Sequence, residues 1–236
     1  MPLPTYISQA GGEGTGNVTV TLPAHVADDI LVLITETANE AVTAPSGWAE
    51  VAASPQGTGT AGGGSATRAQ VFWLRAASAA ETDPTVTDPG DHVLVRVLLI
   101  RGCRTSGSPI DVAAGDVESA GSSSISIPGA TTATDDCLVM LVCTWADDSS
   151  ASNATGISNA DLASISQRRN AGTTQGNGGG FYIATANKAT AGAYGATTGS
   201  LSLGSSAQGR ISFALASLAA PAFKPAWARH ANQVVR

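Results

Sequence analysis

The stretch "DDILVLI", residues 28–34, decides how the chain is read, because "DDCLVML", residues 135–141, repeats its pattern with four of seven letters identical. Each copy is an acidic pair followed by a short apolar run, Ile30 to Ile34 in the first and Cys137 to Cys143 in the second. Runs this short and rich in β-formers predict central strands buried on both faces. Before the first pair, "NVTVTLPA" alternates Val18, Val20 and Leu22 with threonine; before the second, "SSISIPGA" alternates Ile125 and Ile127 with serine. That period of two is the mark of a half-buried strand. Leu22-Pro23 and Ile127-Pro128 lie 105 positions apart and the acidic pairs 107, so the halves differ by two residues in a polar connector, where loops tolerate insertion.

Beyond each apolar run the same order continues: turn-rich sequence, a Gly-rich loop, an aromatic strand ("TRAQVFWLRA" against "GGGFYIATA") and a long alternating strand. The last alternates Val93, Val95, Val97 and Leu99 in one half and Ile211, Phe213 and Leu215 in the other. Asp88-Pro89-Gly90-Asp91 reads as a tight turn, with Pro presetting φ and Gly supplying φ > 0. The expected fold is all-β, a jelly-roll-like β-sandwich built from two pseudo-repeated halves, about 15–105 and 120–220, within a single domain over 1–220. After Pro221 the chain turns basic and aromatic, "AFKPAWARHANQVVR", and residues 221–236 read as a C-terminal arm. Phe223, Lys224, Trp227, Arg229 and Arg236 are its candidates for docking on a partner.

With 236 residues, 43% of them hydrophobic and 13% charged, the chain can bury a sizeable core and falls in the globular class. No apolar run approaches the roughly 20 residues a membrane-spanning helix needs, and "MPLPTYISQAGGEG" shows no cleavable secretion signal. A soluble chain without membrane insertion is expected. All 18 acidic residues lie at or before Asp161 beside five basic ones, whereas the remainder holds seven basic residues and no acid. This polarity suits an anionic partner or acidic and basic faces meeting between subunits; scattered cations without interleaved aromatics do not make a nucleic-acid patch.

The residues name no reaction. His25, His92 and His230 stand apart, with no companion at zinc-ligand spacing, and His25 reads as a solvated turn residue. No nucleophile elbow occurs, and Gly62, Gly63 and Gly64 lack the lysine of a phosphate-cradling loop. The pairs Asp28-Asp29, Asp135-Asp136 and Asp147-Asp148 could in principle offer oxygen ligands to calcium, but their pattern favours turn and strand-cap roles. Cys137 and Cys143, roughly 20 Å apart on one strand, cannot bridge each other, and the thiols, Cys103 with them, read as small buried hydrophobes. No catalytic residue, cofactor or metal is assigned, and a non-enzymatic protein is expected.

Three motifs carry a resemblance: Ala27-Asp28-Asp29 before the first apolar strand, the turn Pro45-Ser46-Gly47-Trp48, and Trp73-Leu74-Arg75 in the aromatic strand. With them the first 105 or so residues resemble the β-sandwich domains of tailed-bacteriophage virion proteins, minor tail and fibre-like proteins above all. The middle Gly of that family's "A-G-D" is replaced here by Asp28, and the second half lacks the Trp turn. The resemblance implies a structural component of a phage particle, a tail or tail-fibre protein, assembled in the host cytoplasm as a homotrimer with other virion proteins. A capsid decoration protein is the near alternative. A carbohydrate-binding module touching a host glycan is another, with Trp48 as its leading contact and Trp73, Trp145, Tyr182 and Tyr194 as further aromatics that read mainly as core.

Overall fold

The computed structural model describes residues 3–87 and 89–218, and the 221–236 arm with its five candidate contacts lies outside them. The first half contributes β1 (Thr5–Gly14), β2 (Val18–Thr19), β3 (Ile30–Thr37), β4 (Ala49–Glu50), β5 (Gln56–Thr58), β6 (Thr67–Arg75), β7 (Thr85–Val86) and β8 (Val93–Arg101). The second contributes β9 (Ile110–Ser122), β10 (Ser124–Ile127), β11 (Ala130–Thr132), β12 (Cys137–Trp145), β13 (Ala154–Ser158), β14 (Ala163–Thr173), β15 (Gly179–Lys188), β16 (Gly192–Tyr194), β17 (Thr197–Leu201) and β18 (Ser206–Leu215). The described residues are all-β, and every strand pairing is antiparallel.

The repeat is visible in the strand order. One main sheet runs β1-β8-β3-β6-β4, with β5 also on β6; the other runs β9-β18-β12-β15-β14. Strand for strand the two orders correspond, and the small β2-β7 pair has its counterpart in β10-β17. Among the described residues each main sheet is drawn wholly from one half, so the expected β-sandwich forms from two pseudo-repeated halves.

The two main sheets pack face to face. Their shared core is lined by Ile30, Val32, Ile34, Leu98 and Ile100 from one side and Leu138, Met140, Val142, Ile183, Ile211 and Phe213 from the other. The opposite face of each sheet is covered as well. Leu31, Leu33, Val95, Val97 and Leu99 pack with Trp48, Val18 and Val86; Val139, Leu141, Cys143 and Trp145 pack with Ile125, Ile127, Tyr194 and Leu201. The molecule is thus layered as thin cover, sheet, sheet, thin cover. This explains the unbroken apolar runs: all eight residues of β3 and all nine of β12 are buried, because neither face of either strand meets water.

The register corrects the sequence match by one residue. Asp28 and Asp136 both adopt positive φ, 68° and 56°, and each donates its N–H to the opposite strand, to the carbonyls of Ala76 and Ala189. Asp28 therefore corresponds to Asp136, and Ile30 to Leu138 rather than to Cys137. A slip of one exchanges the faces of a strand, which is why Ile30 faces the shared core and Cys137 an outer one. The alternating strands behave likewise: Val93, Val95, Val97 and Leu99 line an outer core, whereas Ile211, Phe213 and Leu215 line the shared one. With the register set this way, β5 packs across the interface on β9 and β18, β3 on β15 and β6 on β12. At the other end Arg168 of β14 stacks 4.0 Å from the Tyr6 ring of β1. Equivalent strands meet reciprocally, so the halves pack about a pseudo-two-fold axis, as the protomers of an isologous dimer would.

Candidate functional site

Three places bear on the residues singled out in the sequence. In the turn before β3, Asp29 is buried and holds Arg101 through two hydrogen bonds of 2.7 Å, Nε to Oδ1 and NH2 to Oδ2, while Oδ2 accepts the Val26 N–H at 2.9 Å. Burial works to raise the Asp29 carboxyl, but the Arg101 and backbone bonds hold it below the usual range. The second acidic pair does the same kind of structural work: Asp135 accepts the Ala191 N–H at 2.7 Å and Asp136 takes the left-handed turn position. Arg210, from the acid-free end of the sequence, meets Asp116 directly across the β9-β18 ladder at 2.8 and 3.1 Å. Part of the charge asymmetry along the sequence is therefore neutralised inside the chain.

The second place is sealed. Glu36 at the far end of β3 and His92 just before β8 are both fully buried, with Nε2 to Oε2 at 3.0 Å. His92 Nδ1 lies 2.8 Å from Asp91 Oδ1, and Thr67 donates to Glu36 Oε1 at 2.9 Å. The second half closes the cluster: the Asn177 N–H donates to Asp91 at 2.6 Å and its side-chain amide to the Gly62 carbonyl at 2.6 Å. Gly179 leaves room for Glu36, since a Cβ there would stand 2.6 Å from Oε1. Burial acts to lower His92, and the hydrogen bonds and charges of Glu36 and Asp91 outweigh it, raising His92 to about 9. Burial lifts Glu36 to about 7 against the bonds from His92 and Thr67. Between about pH 7 and 9 His92 is accordingly an imidazolium between two carboxylates. The group ties the β14-β15 turn of one half to the ends of β3 and β8 in the other. The sequence conceals it, because Glu36 and His92 are 56 positions apart and neither sits in a motif.

The third place is Trp48. Its turn forms as the motif predicts, with Gly47 at φ 85° and the Trp48 N–H bonded to the Pro45 carbonyl at 3.1 Å. The ring, however, is 7% exposed and belongs to the outer core of the first sheet. A cavity of about 430 Å³ opens beside it, bounded by Pro45, Leu74, Glu81 and Thr85. Glu81 there is committed to the N–H groups of Ala77 and Ser78, and Asp83 to that of Leu22. Trp145, Tyr182 and Tyr194 are core residues, as expected, and Trp73 packs against the shared core. His25 departs from expectation: it is buried, with Nδ1 2.7 Å from the Pro23 carbonyl and Nε2 accepting the Glu81 N–H.

Among the described residues no three His, Cys, Asp or Glu side chains gather in a metal-holding group. Cys103, Cys137 and Cys143 are free and buried, and burial pushes the thiols of Cys103 and Cys143 up to about 12. Compared with known proteins, the chain matches no family model, no curated protein and no solved structure.

Proposed function

We propose that the protein is a non-enzymatic structural component of a bacteriophage particle, a tail or tail-fibre protein that assembles as a homotrimer with other virion proteins. The observation that carries this reading is the use to which the three family-like motifs are put. Asp28-Asp29 turns the chain into β3 and clamps Arg101; Pro45-Ser46-Gly47-Trp48 folds a buried ring over the first sheet; Trp73-Leu74-Arg75 ends the strand paired with β3. Each serves the scaffold, and the resemblance in those motifs supports a role in which the scaffold is the product. The Glu36–His92–Asp91 cluster fits the same role, since it joins the halves and its Glu36–His92 pair is fully buried. Capsid decoration is the alternative position in the particle.

Mass spectrometry of purified particles, with native mass spectrometry of the isolated chain at low and high salt, tests the proposal. The chain should be found in particles at fixed stoichiometry and as a trimer in isolation. A chain absent from particles and monomeric at every salt concentration would refute it.

A further inference from the structure

The pseudo-two-fold packing creates two equivalent corners between the main sheets, and they are built differently. One corner is closed. There Ile211 of β18 stands opposite Gly115 of β9, and Gln56 of β5, paired with Ala69 of β6, fills the space above that glycine. Gln56 is fixed by its own bond to the Ala53 carbonyl at 2.7 Å, and a Cβ on Gly115 would come within 2.6 Å of its amide nitrogen.

At the other corner the glycine is kept and the residues around it are changed. Arg96 replaces Ile211, opposite Gly11 instead of Gly115; Ala171, paired with Phe181, replaces Gln56; and Glu13 replaces Val117. The plug is gone, and a cavity of about 340 Å³ remains, lined by Arg96, Arg169, Glu13, Ser150, Ala171 and Phe181. Gly11 lets the arginine side chain lie along β1, for a Cβ there would stand 2.7 Å from its Cδ and 2.8 Å from NH1. Arg96 Nε is buried and, among the described residues, has no hydrogen-bond partner. A guanidinium placed between Leu94 and Leu98 of a core strand, with one donor unsatisfied, is costly unless something outside the chain completes it. Arg169, which lines the same cavity, adds a second positive charge close enough to act with burial in lowering Arg96, while Glu13 acts against them.

We infer that this corner is a binding pocket for a small hydroxylated carboxylate of the uronic-acid kind. Two guanidiniums and one carboxylate leave the pocket one positive charge, which balances a monoanion better than a phosphate dianion. The planar guanidinium fork matches a carboxylate. Glu13 and Ser150 offer acceptors to hydroxyl groups, and Phe181 an apolar wall; the volume lies at the small end of ligand pockets and suits one sugar ring.

The test is isothermal titration of the full chain with D-glucuronate, with D-glucose, acetate and inorganic phosphate as controls, on the wild type and two variants. Ala171→Gln rebuilds the plug seen at the closed corner and leaves both arginines in place. Arg96→Ile copies Ile211. Saturable binding of glucuronate is expected, with glucose, acetate and phosphate each at least ~10-fold weaker, and a loss of at least ~10-fold in both variants. Arg96→Ile should keep or raise the melting temperature, because it removes an unsatisfied buried charge. The inference is overturned if glucuronate does not bind, if it binds Ala171→Gln as tightly as the wild type, or if Arg96→Ile unfolds the protein, which would make Arg96 a structural residue.

Discussion

Replacing His92 with leucine tests the buried cluster most severely. His92 and Glu36 are both 0% exposed and meet at 3.0 Å, so His92→Leu leaves a carboxylate in the core with Thr67 as its one remaining side-chain hydrogen-bond donor among the described residues. Removing one member of such a pair costs about 3–5 kcal/mol, most of it the penalty of the abandoned charge. For a chain of this size each kcal/mol moves the melting temperature by about 2–4 °C, so a fall of roughly 6–20 °C is expected at pH 8, above the value of about 7 at which Glu36 ionises. The pair Glu36→Leu with His92→Leu should lose less than His92→Leu alone, since no buried charge is left over. The pH dependence carries the same signature. Folded His92 keeps its proton to about 9 against an ordinary 6.5, and folded Glu36 to about 7 against 4.5. The folded state therefore binds more protons than the unfolded one in that range, and stability falls as pH rises. His92's contribution is full below pH 6.5 and gone above about 9. Melting curves from pH 5 to 10 should show a decline that loses its His92 part in His92→Leu and flattens only when Glu36→Leu is added. A variant within about 1 kcal/mol of wild type, with an unchanged pH profile, would refute the role given to this cluster.

Met140, fully buried where the two sheets meet, should cost about 2–5 kcal/mol when cut to alanine, measured by urea unfolding. Gly180 faces Trp145 across the β12-β15 ladder, and a Cβ there would overlap the indole ring; Gly180→Ala should lose about 1–3 kcal/mol and shift the near-ultraviolet tryptophan signal. The thiols of Cys103 and Cys143, buried and raised to about 12, should stay unreactive toward a disulfide reagent at pH 8 until the chain is unfolded, when all three cysteines titrate.

The all-β class, the central strands and the doubled order of elements were legible because apolar runs, period-two alternation and turn residues are local signals. The faces were not. The match of "DDILVLI" to "DDCLVML" pairs Asp28 with Asp135, but the fold pairs it with Asp136, and one residue inverts the whole strand. What fixes the phase is the positive φ of a single aspartate, a backbone property that two adjacent aspartates hide. Which half supplies each sheet could not be read either, since strand partners are set by long-range pairing. Trp48 was legible as a turn residue and not as a core one, because the layer that covers it comes from Val18 and Val86, some 30 and 40 positions away. The buried Glu36–His92–Asp91 group left no trace at sequence level. Arg96 left one: in Val93 to Ile100 it is the lone charge in an otherwise apolar strand, and its pairing with Gly11 gives that signal its meaning.

Native-state hydrogen exchange on β3 and β12 tests the central structural claim, that the two half-chain sheets stand on one shared core. Packed face to face, the two strands should exchange last and with the same opening free energy, and Met140→Ala should lower the protection of both by the same amount. Protection lost from β12 alone, with β3 unchanged, would mean that the halves are held independently and that the shared core does not unite them.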